Sequence, residues 1–454
     1  MRTIELQPGQ TLQASQLPRQ GVLPASVMAS AQAIVDTVKQ EGDAALRRYC
    51  RDFDKVEVED FRFPQEKLDR ALDQADPEYV EALQKAADQI RDFHQRQVRQ
   101  SWMNTKPDGT ILGVKFTPVD SAGVYVPGGR AQYPSTVLMD VIPAKVAGVE
   151  RIVMVTPPQP DGGISAATLA AAKVAGVDEI YTVGGAQAIA ALAYGTESIP
   201  NVSVIVGPGN AYVAAAKHIV SGDVGIDMVA GPSEVCVLVD GPADATIVAA
   251  DLMAQAEHDP MAACYLVCTD GDFAAQVCSR IDAMVAQSPR AQITQASFDG
   301  QGTIVVCPDL DTACKAVDTI APEHLELHAP DAMALLGKIH NAGAIFVGDW
   351  SSEPLGDYVA GPNHTLPTGG TALFSNPLGV DDFVKQSSVV CYTPAGLLND
   401  APATQIMAEH EGLWAHALSV GLRRNLLEQG MESYDGVDPA QMDLTAIAWP
   451  PYKK

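Results

Sequence analysis

From Ile111 to Val347 the chain alternates short Val/Ile-rich runs with longer apolar stretches of helical period, and it does so in two blocks. In the first block, Gly123–Val126, Arg151–Thr156, Ile180–Val183 and Val202–Val206 read as strands. Helices fall between and after them, at Val137–Ala147, Ile164–Ala175, Ala188–Ala193 and Ala211–Val220. The second block reads Val235–Val239, Ala263–Cys268, Thr303–Cys307 and Ala344–Val347 as strands, separated by helices such as Thr246–Gln255, Phe273–Ala286 and Leu310–Ile320. Repeated strand–helix units close as parallel sheets with both faces covered. The expectation is an α/β chain of two Rossmann-like open parallel-sheet lobes, with a helical N-terminal region and a helical C-terminal tail. Its expected parts are a proline-marked arm at 1–24, a first lobe from 25–122 plus 234–378, a second lobe at 123–233, and the tail at 379–454. Two lobes joined near Ser233 leave a cleft, where ligands gather.

Charge and cysteine usage narrow the function classes. A formal net charge of -26 argues against nucleic acid or an anionic membrane as partner. Eight cysteines form no CxxC pair, and most fall in apolar runs, so they read as small core hydrophobes of a reduced, cytoplasmic protein. The N-terminus lacks a signal-peptide core, and no stretch reaches membrane-spanning length.

Chemistry-bearing residues cluster at a few places. Gln255 and His258 sit three apart at the end of an apolar helix that Pro260 stops, so they share one face. Such a pair can hold half of a metal site or simply cap the helix. Gly207-Pro-Gly-Asn210 follows a strand and opens a helix, a turn suited to an anion, although no GxGxxG or P-loop occurs. Pro127-Gly-Gly129 and Gly184-Gly185-Ala-Gln187 lie at equivalent strand ends and could line the same crevice. Glu323 and His324 offer two proton-transfer groups at a strand mouth, while Glu326 and His328 read as a solvated strand edge. Gly356–Gly370 is long, glycine-rich and aperiodic, as functional loops are; in it Asp357 is an oxygen-ligand candidate and His364 a second ligand or an anchor. Glu411 and His416 read as a surface pair at the start of a helix.

Taken together, these residues resemble the histidinol dehydrogenase family over about residues 25–426. The resemblance is carried by Gly123-Val-Tyr-Val-Pro-Gly-Gly129, Tyr133-Pro-Ser-Thr-Val-Leu-Met139, Gly207-Pro-Gly-Asn-Ala-Tyr-Val213 and Gly225-Ile-Asp-Met-Val-Ala-Gly-Pro-Ser-Glu-Val235. Gln255-Ala-Glu-His-Asp259, Glu323-His-Leu-Glu-Leu327, Gly356-Asp-Tyr-Val-Ala-Gly-Pro-Asn-His364 and Glu411-Gly-Leu-Trp-Ala-His416 complete it. It implies zinc held by Gln255, His258, Asp357 and His416, the last donated across a homodimer by the C-terminal tail. It implies NAD contacted by Tyr125, Gln187 and Asn210 in the second lobe. Substrate contacts would be Ser233, Gln255, His258, His324, Asp357, Glu411 and His416, with Glu323 and His324 moving protons in the first lobe. The implied reaction is a zinc- and NAD-dependent four-electron oxidation of L-histidinol to L-histidine through bound L-histidinal, the last step of histidine biosynthesis. Leu373 departs from the family, many of whose members place a basic residue there. Rival readings are a related dehydrogenase of another polar alcohol such as a sulfonated diol, a zinc hydrolase using Glu323 as base, and a two-lobed binding protein. Glu411 and His416 favour an imidazole-bearing substrate over a sulfonate.

Overall fold

The computed structural model describes residues 1–19, 23–128 and 133–449. The chain divides into two compact units, one made of Met1–Val98 with Pro118–Val384, the other of Arg99–Thr117 with the segment from Lys385 on.

The first unit holds two fully parallel sheets. In the five-stranded sheet the spatial order is Glu179–Thr182, Arg151–Thr156, Ser121–Tyr125, Val204–Val206 and Gly225–Ile226. In the six-stranded sheet it is Arg2–Glu5, Thr303–Val306, Ala263–Cys268, Glu234–Val239, His324–His328 and Ala344–Val347. Alternation decides the cores. Val124, Ile152 and Met154 pack on one face of the five-stranded sheet and Tyr125, Val153 and Val155 on the other. In the larger sheet Leu238, Val267 and Leu325 face one side and Val237, Leu266 and Ile304 the other. Cys236, Cys264, Cys268 and Cys307 are buried in these strands or at their ends, and all eight cysteines are unpaired. Both sheets wind outward in two directions from a central strand. Their reversal points lie between Ser121–Tyr125 and Val204–Val206, and between Glu234–Val239 and His324–His328.

Several expectations change. Part of the supposed N-terminal arm is an edge strand: Arg2–Glu5 pairs in parallel with Thr303–Val306. A helix at Ala291–Gly300 escapes the periodicity reading, and the helix that the pattern predicts over residues 332–341 is a 3-10 segment, Ala332–Gly337. The segment Gln20–Val22, Gly129 of the Pro127-Gly-Gly turn and the tail beyond Trp449, expected to be extended, lie outside the described residues.

The second unit pairs Trp102–Thr105 antiparallel with Ile111–Pro118 in a three-stranded sheet completed by Val384–Cys391. That last strand interrupts the expected helical run after Gly379. Helices Pro394–His410, Trp414–Gln429 and Leu444–Ala448 follow. Their shared core is small, consisting of Ala408, Ala417 and Ala448. Trp102, Met103, Val390 and Met407 stay more than half exposed.

No helix among the described residues is long and apolar enough to cross a membrane.

Candidate active site

His324 opens its strand, beside Glu234–Val239, and is 4% exposed. Its Nδ1 donates to the carbonyl of Glu234 at 3.0 Å, because a carbonyl can only accept. The basic lone pair of the neutral ring therefore belongs to Nε2. That atom is buried without a hydrogen-bond partner, 3.6 Å from Asp357 Oδ1 and 3.9 Å from Glu353 Oε1. Glu323 Oε2 accepts the backbone N–H of Glu234 at 2.7 Å and lies 3.6 Å from His324 Nδ1. Three carboxyl groups thus surround one imidazole. Burial alone would lower the pKa of His324, but Glu323, Asp357 and Glu353 outweigh it and push it up to about 10. Burial raises Glu323 to about 8, and burial with neighbouring Asp357 raises Glu353 to about 8. Asp357 moves the other way: burial opposes its charge, yet the His324 and His364 rings hold it below the carboxylate range.

Asp357 sits on a short helix, Glu353–Tyr358, and not in the loop that the glycines of 356–370 suggest. Glu353, missed in the sequence, lies one turn before it on the same helical side. A signal was present: Ser352 stands at the N-cap position, without a side-chain cap bond, and Pro354 falls at the helix start. His364 is placed as an anchor. Its Nδ1 donates to the Asp357 carbonyl at 3.0 Å, and its Nε2 meets Thr136 Oγ1 at 3.2 Å.

Helix Ala245–Ala256 ends before His258, so the expected helical pair divides: Gln255 is on the last turn and His258 on the turn that follows. Gln255 is 1% exposed, and its Oε1 has no partner. Burial lowers the pKa of His258, against the pull of Asp357; the charge on His324 also reaches it. His258, His324 and Asp357 therefore form one electrostatic neighbourhood. Ser233 precedes Glu234–Val239, at the same amino edge of the sheet. The expected ligands Gln255, His258 and Asp357 all belong to the first unit. Glu411 and His416 belong to the second and are exposed. They are not on one helix: Glu411 ends Pro394–His410, Gly412 turns with φ 72°, and His416 sits in the first turn of Trp414–Gln429. Leu373 is exposed on a single 3-10 turn.

Arg19 supports this edge. Its Nε and a terminal nitrogen each donate at 3.0 Å to the carboxylate of Glu234, which is 3% exposed. Arg19→Ala strands that carboxylate, and the expected cost is about 3–5 kcal/mol of folding stability. Urea unfolding checks it. Glu234→Gln in the same chain should recover part of the loss.

The cofactor candidates meet elsewhere in the first unit. A cavity of about 880 Å³ is lined by Tyr125, Gly128, Thr156, Gly185, Gln187 and Asn210, among others. It lies at the carboxyl ends of the five-stranded sheet, where the strand order reverses. Tyr125 Oη accepts the N–H of Gly185 at 3.1 Å, and Asn210 caps its helix by accepting from Tyr212 and Val213. Gly207 is clamped through both backbone polar groups, its N–H by Asp227 at 2.9 Å and its carbonyl by Lys217 at 2.9 Å. At φ 111° an added Cβ would lie 2.3 Å from the Tyr125 carbonyl, so only glycine suits this turn.

Two doubly wound sheets in one compact unit, one with a cavity built on glycine turns and the other with a buried imidazole among carboxylates, define an α/β enzyme. The family model described as histidinol dehydrogenase matches residues 17–424. A histidinol dehydrogenase of Halalkalibacterium halodurans is 51% identical over 391 residues, 86% of this chain and 92% of that protein. One from Synechococcus is 50% identical over 403 residues, covering 88% and 93%. The crystal structure of histidinol dehydrogenase from Elizabethkingia anophelis superposes with a TM-score of 0.89 at 36% identity, covering 94% of this chain and 99% of that one. The chain belongs to the histidinol dehydrogenase family, and it is an oxidoreductase.

Proposed function

We propose that this chain oxidises L-histidinol to L-histidine in two successive steps, holding L-histidinal between them, as the last reaction of histidine biosynthesis. The observation that carries the reading is the buried His324 ringed by Glu323, Glu353 and Asp357, in a chain half identical to proteins named histidinol dehydrogenase. NAD, when bound, supplies the hydride acceptor for both oxidations, and the cavity at Tyr125, Gln187 and Asn210 supports its placement there. Zinc, when bound, supplies a Lewis-acid anchor for substrate nitrogens.

The donor set fits such a cation. The buried, unpartnered Oε1 of Gln255, the half-buried His258 ring and the half-buried Asp357 carboxylate are nitrogen and oxygen donors; the Asp357 charge reaches His258, and Asp357 itself lies within ligating distance of His324 and Glu353. With that negative charge taken up, the His324 ring loses much of what holds its proton. Its Nε2 then serves as the base for the alcohol proton, and Glu323 takes a proton from the water that hydrates the aldehyde. Ser233 binds substrate from the first unit, and Glu411 of the partner subunit does so from the second chain.

His416 of the partner subunit completes the donor set in a homodimer. The exposed apolar residues Trp102, Met103, Val390 and Met407 of the second unit support such an interface. Eight unpaired cysteines support a reducing, cytoplasmic setting.

The test is NADH formation from L-histidinol and NAD. Stripping the metal with a chelator is expected to abolish it, and added zinc to restore it. Unchanged NADH production from metal-free protein would overturn the zinc assignment; none from loaded protein would overturn the substrate.

A further inference from the structure

The central strand His324–His328 carries an unusual row. His324, Glu326 and His328 alternate with Leu325 and Leu327, so the three polar side chains share the face covered by helix Ala245–Ala256. All five residues are buried, which corrects the reading of Glu326 and His328 as a solvated edge. The helix answers with its own polar face: Asp251 and Gln255 are one turn apart. Gln255 lies on the last turn of the helix, while Asp251 stands a turn earlier, against Glu326 and His328.

There a second cluster forms. His328 Nε2 is 3.8 Å from Glu326 Oε2 and 4.0 Å from Asp251 Oδ2. On the far side of the ring, Nδ1 donates to Asp349 Oδ1 at 3.1 Å. A carboxylate that fixes one ring nitrogen while the other faces further donors is the usual support of a metal-binding histidine. Glu326 is fully buried. Its Oε1 accepts the Glu353 N–H at 2.7 Å, but its Oε2 has no hydrogen-bond partner and points into the cluster. Such an orphan is costly unless something fills the gap. A point equidistant from three donors about 4 Å apart lies about 2.3 Å from each, so shifts of a few tenths of an ångström bring them to zinc–nitrogen and zinc–oxygen bond lengths. The place also suits a ligand, being at the reversal point of the six-stranded sheet, toward its carboxyl edge.

We propose that Asp251, Glu326 and His328 bind a second divalent transition-metal ion, such as Zn2+ or Mn2+, separate from the catalytic cluster. The ion takes one imidazole nitrogen and two carboxylate oxygens, and water from the side of the exposed Asp349 completes its shell. Through Glu326 it braces the first turn of the helix that carries Glu353 and Asp357.

The test counts ions. Metal-stripped chain is re-equilibrated with Zn2+, desalted and assayed for bound metal by elemental analysis, with circular dichroism checking the fold. His328→Gln is expected to bind one equivalent per chain fewer than the wild type, and Asp251→Asn the same. Asp357→Asn tests the catalytic site separately: its loss of an equivalent, with His328→Gln unchanged, would sink the second site and leave the proposed function standing. Should neither cluster variant fold, anomalous diffraction at the zinc edge from zinc-soaked wild-type crystals decides. A peak between Asp251, Glu326 and His328 supports the site, and its absence overturns it.

Discussion

Glu323→Gln is expected to slow oxidation of added L-histidinal by about 10²–10⁴-fold, the usual cost of removing a positioned proton-transfer group. The substitution is nearly isosteric, and a glutamine oxygen can still accept the Glu234 N–H that Glu323 Oε2 holds at 2.7 Å. The fold should survive, and the base should not. Since His324 is untouched, the first oxidation should persist, so rapid mixing of L-histidinol with excess NAD should give a burst of about one NADH per site before turnover stalls. Full-rate aldehyde oxidation in the variant would remove Glu323 from the water-activating role.

The second large effect is complementation between two dead proteins. His416→Ala removes the donor proposed to cross the dimer, and Glu323→Gln disables the chemistry of its own subunit. Each homodimer should be nearly inactive. Refolded or co-expressed together, half of randomly formed pairs are mixed, and one of the two sites in each mixed pair draws both native residues. Recovery of about a quarter of wild-type activity is therefore expected. The mixture stays dead if every site is built from one chain alone. Metal content gives an independent reading, because His416→Ala that keeps stoichiometric zinc would deny the residue its ligand role.

How much of this was legible in the sequence follows from where the information lies. The two parallel sheets were, because buried strands flanked by Ala-rich helices write their period into a local window, and Ala211–Val220, Ala263–Cys268 and Ala344–Val347 fall at the expected bounds. The edge strand Arg2–Glu5 was not. It is short and half polar, and what makes it a strand is a partner at Thr303–Val306, three hundred residues on. Glu326 and His328 misled for the same reason: charged residues in a strand suggest water, and only tertiary placement of Asp251 and the Glu353 N–H lets them lie inside. Most candidate site residues were named through motifs, yet Glu353 and the Arg19–Glu234 pair were not. Their chemistry depends on distances across the fold, which no spacing along the chain encodes.

The central claim is that one buried site performs both oxidations on the same molecule. The most direct measurement is the number of NADH molecules formed per L-histidinol consumed, with NAD in excess and the product identified. Two are expected, with L-histidine as product and no free L-histidinal accumulating. A ratio of one, with the aldehyde released into solution, would contradict it.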